Sequence, residues 1–228
     1  MQSQGTIAEV CMLSGQRSVY IKCAAASIPG PGRYIMAHEE GSEAPLATEL
    51  FAADYRSSGF LAAPPVPRQW MPGSVLALRG PSGHGFDLPP AARRVALMAF
   101  NDNPTRLLPL AEMAIRQGGA VALVCEGLTP DLPLQVEVHP LRAMAEVCRW
   151  ADYAAFDVEI ASLAALMEAL MPAGVSFPNG AAQALVHAAM PCGGLADCGV
   201  CTVRTARGPR LACVDGPVLD LRLLVRKR

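Results

Sequence analysis

Apolar and polar positions change their period partway along this chain. Thr6–Leu13 and Ser18–Ala24 read as short strands, separated by Ser14-Gly15-Gln16-Arg17, the composition of a hairpin turn. Pro29-Gly30-Pro31-Gly32 predicts a second turn before a strand from Arg33 to Met36. Pro72-Gly73 leads into a strand over Ser74–Arg79 that ends at Gly80-Pro81-Ser82-Gly83-His84-Gly85-Phe86. Ala62–Trp70 carries Pro64, Pro65 and Pro67 and is expected as loop or edge, because proline cannot donate to a ladder. Short strands with Gly/Pro turns over residues 1–90 predict a small antiparallel β-barrel.

From Arg94 onward the period alternates. Arg94–Phe100, Ala120–Cys125, Leu134–His139 and Tyr153–Phe156 read as strands, and Gly174–Phe177 as a last one. Leu107–Gln117, stopped by Gly118-Gly119, Pro140–Arg149 and Ser162–Met171 read as helices, and Ala181–Ala189 as a further helical stretch. Near-continuous apolar strands alternating with helices imply a parallel sheet covered on both faces. Pro89-Pro90 and Pro178-Asn179-Gly180 mark the boundaries. The fold class is therefore α+β and multidomain: a barrel over 1–90, an α/β domain over 91–178, and a small cysteine-bearing domain over 179–228.

Composition narrows the classes. Hydrophobic residues make up 52% and charged residues 17%, which suits a globular chain and not a disordered one. A net charge of −1 supplies no basic stripe for nucleic acid, and Arg226-Lys227-Arg228 reads as a solvated tail. No apolar run is long enough for a membrane span, and the first residues lack a basic patch followed by an apolar stretch. Eight cysteines in such a chain are expected in a reducing cytoplasm, where thiols bind metals more often than they pair. Cys11, Cys23, Cys125 and Cys148 lie singly in apolar segments and are expected as buried small hydrophobes.

The remaining four follow the pattern Cys192-x5-Cys198-x2-Cys201-x11-Cys213, with a hairpin-like stretch before the last. Thiolate sulfur is soft and negatively charged, and four of them converging from a glycine-rich loop and one distant strand suit a 2Fe–2S cluster. The spacing is one residue longer in its first loop than the plant-type arrangement. Gly193, Gly194 and Gly199 let the backbone wrap closely and aim N–H groups at sulfur, while Asp197 adds a nearby negative charge. The competing reading is a structural zinc site on the same four cysteines, although zinc ligands usually come as two short-spaced pairs and Cys213 has no close mate in sequence. His187, on its predicted helix, reads as an ordinary helix residue. No acid–base or nucleophile constellation stands out, since His38, His84, His139 and His187 are far apart in sequence. Electron passage, with no substrate chemistry of its own, is the expected role.

Met190-Pro191-Cys192-Gly193, Cys198-Gly199-Val200-Cys201 and Ala212-Cys213-Val214-Asp215-Gly216-Pro217-Val218 resemble the tail of the electron-transfer subunit of NAD-linked dihydroorotate dehydrogenases, which belongs to the ferredoxin-reductase-like flavoproteins. Pro31-Gly32-Arg33-Tyr34-Ile35-Met36 and Gly80–Phe86 resemble that family's barrel segments. The resemblance implies a relay from NADH through FAD and a 2Fe–2S cluster to a flavin-containing catalytic subunit, the protein redox partner, in pyrimidine biosynthesis. An NADH-oxidising flavin reductase and a non-catalytic structural or regulatory subunit with zinc are the alternatives.

Four of the family's motifs are altered. Its Arg-Pro-x-Ser flavin segment corresponds to Pro45–Ala52, with Glu49 or Thr48 at the arginine position and Ala52 at the serine. Glu49 beside a diphosphate would be repulsive where arginine would give a charge-assisted contact. Its pyrophosphate turn corresponds to Ala63–Trp70. Arg56 or Arg68 is a candidate substitute for the missing charge, and Trp70 or Tyr55 either stacks on a ring or packs in the core. The residues leave FAD open, and the layout of parts favours it. For the nucleotide, no glycine occurs between Gly85 and Gly118, so Ala99–Thr105 lacks the turn that admits a dinucleotide, and NAD in the usual mode is not expected. There Asn103 or Thr105 is expected to cap the following helix. The family's Cys-Gly-Pro nicotinamide segment corresponds to Ala155–Glu159 and has none of its residues.

Overall fold

The computed structural model describes residues 2–101, 103–170 and 181–224. Six strands open the chain: β1 (Gln2–Leu13), β2 (Gln16–Cys23), β3 (Tyr34–Glu39), β4 (Thr48–Arg56), β5 (Gly59–Ala62) and β6 (Val75–Ser82). They close into an antiparallel barrel in the order β1-β2-β5-β4-β3-β6, which leaves no free edge. Ile7, Val19, Ile21, Ile35, Leu50, Phe60, Leu76 and Leu78 fill its interior, and Trp70 packs among them. Trp70 and Tyr55 are thus packing residues, Tyr55 lying against this core with its hydroxyl donating to Pro29 O at 3.0 Å.

The sequence pattern does not reveal β4 and β5, and the packing explains why. Along β3 and β4 the side chains alternate between two cores. Ile35, Leu50 and Ala52 face the barrel interior, while Tyr34, Met36, Phe51 and Ala53 face the second half of the molecule. A strand buried on both faces shows no apolar–polar alternation, so periodicity cannot identify it.

The second half contains β7 (Arg94–Ala99), α1 (Leu108–Arg116), β8 (Ala120–Val124), β9 (Val136–His139), α2 (Met144–Trp150), β10 (Tyr153–Glu159) and α3 (Leu163–Leu170). It continues with β11 (Ala182–His187), the hairpin β12 (Thr202–Thr205) and β13 (Gly208–Leu211), β14 (Val218–Asp220) and a single turn, α4 (Leu221–Leu224). The sheet order is β14-β11-β10-β7-β8-β9, all parallel except β14. The strands expected over Arg94–Phe100, Ala120–Cys125, Leu134–His139 and Tyr153–Phe156 are present, as are the helices expected up to Leu170, α1 ending before Gly118 at φ +79. The strand expected over Gly174–Phe177 lies outside the described residues.

One assignment is reversed. Ala181–Ala189, read as helical from its alanines, holds β11, a strand paired on both sides with β10 and β14. Tertiary pairing overrides alanine's local preference here. The sheet therefore takes in β11 and β14 from the stretch assigned to the tail. The four cysteines sit on an excursion between these two strands.

Candidate functional site

The cysteine excursion leaves the sheet at the end of β11 and is clasped to the barrel. The Tyr34 hydroxyl donates to Cys213 O at 2.9 Å in a buried contact, and the Arg79 guanidinium donates to Gly193 O. His84 N donates to Gly216 O at 2.5 Å, which joins the barrel-exit loop to the segment after Cys213. A Cβ on Gly83 would lie 2.6 Å from Gly216 O, so this approach needs glycine.

The loop winds through left-handed steps at Gly193 (φ 65), Gly194 (φ 78), Ala196 (φ 66) and Gly199 (φ 67). Cys198 bears on the ionisation of Cys192, and both Cys201 and Cys192 bear on that of Cys213, so the four thiols influence one another. Desolvation opposes ionisation of Cys192, yet hydrogen bonds from the Cys198 thiol and from the N–H groups of Asp197, Leu195 and Cys198 pull its thiol down to about 6. Burial first, and then the Cys201 thiol, push Cys213 up to about 11, against an N–H from Ala196. Cys198 is exposed, Cys192 is half-buried, and Cys201 and Cys213 are buried. Among the described residues no group of three or more His, Cys, Asp or Glu side chains is gathered tightly enough to hold one metal ion.

Directly before Cys192, Ala189, Met190 and Pro191 line a cavity of about 270 Å³ between barrel and sheet. Its walls are apolar at Leu46, Phe51, Pro64 and Pro65 and polar at Glu49, Arg106 and His187. The polar groups form one network. Arg106, from the turn before α1, grips the fully buried Asp157 of β10 through Nε (2.9 Å) and Nη2 (3.1 Å). Its Nη2 also reaches Glu159 at 3.2 Å. Glu159 Oε2 accepts from His187 Nδ1 at 2.7 Å, and Glu49 Oε1 accepts from His187 Nε2 at 2.9 Å. Burial disfavours the His187 charge, but the bonds to Glu159 and Glu49 outweigh it and raise the imidazolium to about 9. Burial likewise opposes ionisation of Glu159, and His187 and Arg106 together hold its carboxyl below the usual range.

This network corrects several sequence expectations. His187 is a strand residue paired with two carboxylates and is not an ordinary helix histidine. Glu49 does not confront a bound anion alone, because His187 neutralises it. Arg56 is committed elsewhere, to Glu9 at 2.9 Å and to the Tyr20 ring at 4.7 Å. Arg68 instead lines a second cavity, of about 660 Å³, that shares Pro64, Pro65 and Arg106 with the first. Asn103 Oδ1 accepts from Thr105 N at 2.9 Å, but no side chain caps the turn over Thr105–Leu107 or α1, so the expected helix cap is not made. Arg106 was not anticipated. The available signal was Asp157, a carboxylate inside the apolar run Tyr153–Val158, which requires a buried cation.

No family model and no curated protein matches the sequence. Solved structures do match, and they share the ferredoxin-reductase-like fold: a six-stranded antiparallel barrel followed by a mostly parallel sheet. The structure of an NADH-dependent reduced ferredoxin–NADP oxidoreductase, reported for flavin-based electron bifurcation, aligns with a TM-score of 0.71 at 15% identity, covering 96% of this chain and 88% of that one. The ferredoxin reductase of carbazole 1,9a-dioxygenase aligns at 0.62 and 14% identity, covering 82% and 67%. Phthalate dioxygenase reductase, described as modular for electron transfer from pyridine nucleotides to 2Fe–2S, aligns at 0.57 and 12% identity, covering 78% and 66%. At such identities the likeness defines the fold. Among the described residues no helix is long and apolar enough to cross a membrane.

Proposed function

We propose that this chain is an electron-transfer subunit in which a flavin ring in the smaller cavity stands beside a 2Fe–2S cluster on the cysteine loop. The observation that carries this reading is continuity: Ala189, Met190 and Pro191 line the cavity, and the next residue is Cys192. When bound, FAD would exchange electrons in pairs or singly, and the cluster one at a time.

The chain's own residues fit both groups. Cys192 and Cys198 would hold one iron, and Cys201 and Cys213 the other. The N–H groups of Leu195, Asp197 and Cys198 favour the Cys192 thiolate and that of Ala196 the Cys213 thiolate, and the same donors would offset sulfur's negative charge. Arg79, on the carbonyl of Gly193, adds a cation on the same side. In the ring slot, Phe51, Pro64, Pro65 and Met190 supply apolar contact. His187 holds protons at both Nδ1 and Nε2 at the slot's wall, fixed by Glu159 and Glu49.

The partner we propose is a flavin-containing dehydrogenase subunit. The tail motif Cys213-Val214-Asp215-Gly216-Pro217-Val218 favours the dihydroorotate dehydrogenase catalytic subunit. Anaerobic purification followed by iron, sulfide and flavin analysis and a visible spectrum tests the proposal. Two irons per chain with flavin absorption are expected. A colourless protein, or one carrying zinc, would sink it.

A further inference from the structure

The six-stranded sheet ends on one side at β9, and among the described residues no strand pairs with its outer edge. The hydrogen bonds show which backbone groups stand there. Cys125 N donates to His139 O at 3.0 Å, so Glu137 and His139 serve the parallel ladder to β8. Alternate residues of a strand turn their backbone groups the other way, and the N–H and C=O of Val138 therefore point outward. Val136 also points outward, but its N–H is spent on Pro133 O at 2.9 Å. Pro140, next in line, has no N–H to offer. Within β9, Val138 alone presents both a free donor and a free acceptor.

The side chains along this edge lack the usual guards. Sheet edges are commonly blunted by lysine or by a bulge that twists the strand away. β9 carries no lysine and keeps an unbroken register with β8 from Val136 to His139. Val138 is half-exposed, and Leu134, just before the strand, is fully exposed. Glu137 and His139 lie on the other face, toward α2, with Oε2 and Nε2 3.7 Å apart.

We infer that β9 pairs antiparallel with β9 of a second copy of this chain, joining two sheets across a two-fold axis at Val138. Two registers let outward-pointing residues meet. One sets Val136 opposite Val138 and Glu137 against Glu137, a like-charge pair, and it needs the Val136 N–H that Pro133 already holds. The other sets Val138 opposite Val138, so that each N–H meets the other copy's C=O. It also places Glu137 of each copy opposite His139 of the other, and an imidazole N–H facing a carboxylate is favourable whether or not the ring is charged. Charge complementarity therefore selects the second register. The same register carries the exposed Leu134 of each copy toward the turn over Leu141–Ala143 of the other. One edge serves both copies, so the assembly closes at two. Neither the flavin nor the cluster is needed for this pairing.

Sedimentation velocity of the full chain over a wide range of protein concentration tests the pairing. A reversible monomer–dimer equilibrium is expected of the wild type. Val138→Pro removes the outward N–H, leaves the bonds to β8, and should be monomeric with unchanged far-UV circular dichroism. Glu137→Lys should weaken the dimer roughly tenfold, because two attractive cross-strand pairs are lost. Adding His139→Glu reverses both charges and should restore it. A wild type that stays monomeric, or that assembles beyond the dimer, overturns the pairing. A dimer equally strong in Val138→Pro would place the contact elsewhere and overturn it too. A double variant that dimerises no better than Glu137→Lys has the same consequence. Should Val138→Pro unfold, the two charge variants decide alone.

Discussion

His187 of the sheet lies 2.9 Å from Glu49 of the barrel, so a single imidazolium ties the two halves of the molecule together. Glu159 holds its other nitrogen at 2.7 Å. The folded pKa of about 9 exceeds the unfolded value of 6.5. A raised pKa contributes stability that is fully present below the unfolded value and is lost as pH rises through the folded one. Stability to urea should therefore fall between about pH 6.5 and pH 9, by at most about 3 kcal/mol. In His187→Gln that decline should vanish. A wild-type profile that stays level across this interval would refute the clamp.

Arg106 and Asp157 form the deepest ion pair of the network. Arg106→Met leaves a fully buried carboxylate without its bidentate partner and should cost about 3–5 kcal/mol. Adding Asp157→Leu should recover part of that loss, because replacing both members of a buried pair removes the stranded charge. Denaturant unfolding of the two proteins measures the difference. A double variant no more stable than Arg106→Met would contradict this account.

Gly194 sits against the Tyr34 hydroxyl, and a Cβ there would lie 2.4 Å from it at φ +78. Gly194→Ala should displace the cysteine loop, at a cost of about 1–3 kcal/mol from the left-handed step and more from the clash. Tyr34→Phe should restore part of the loss, since the hydroxyl oxygen is the nearest atom. By itself Tyr34→Phe should cost about 1 kcal/mol through the lost bond to Cys213 O. Thermal unfolding monitored by near-UV circular dichroism tests the pair, and additive effects would argue against the contact.

Cys201→Ser should abolish iron binding while far-UV circular dichroism stays unchanged. Cys201 is buried beside Cys213, and its backbone oxygen still accepts from Ala212 N at 3.0 Å. Full iron content in this variant would remove Cys201 from the ligand set.

Much of the plan was legible in one dimension. Gly/Pro turns and apolar runs reveal β1, β2, β3 and β6 and the strand–helix alternation, β3 through the Pro29-Gly30-Pro31-Gly32 turn before it and not through its own period. The cysteine spacing and its glycines mark the loop, three of whose four left-handed steps fall on glycine, the residue without a Cβ to clash there. β4 stayed hidden because both of its faces are buried, in two different cores. β11 misled because alanine favours helix until neighbouring strands claim its backbone.

Sequence alone therefore determined the types and order of most elements, β4, β5 and β11 apart, and the place where the cysteines cluster, since these depend on near neighbours and local backbone freedom. Tertiary structure decided the pairing of charges. Glu49 and His187 are far apart in the chain, as are Arg106 and Asp157, and Arg17 and Arg68 reach one cavity from separate loops. Coulombic and hydrogen-bond energies depend on distance through space, and folding alone sets that distance.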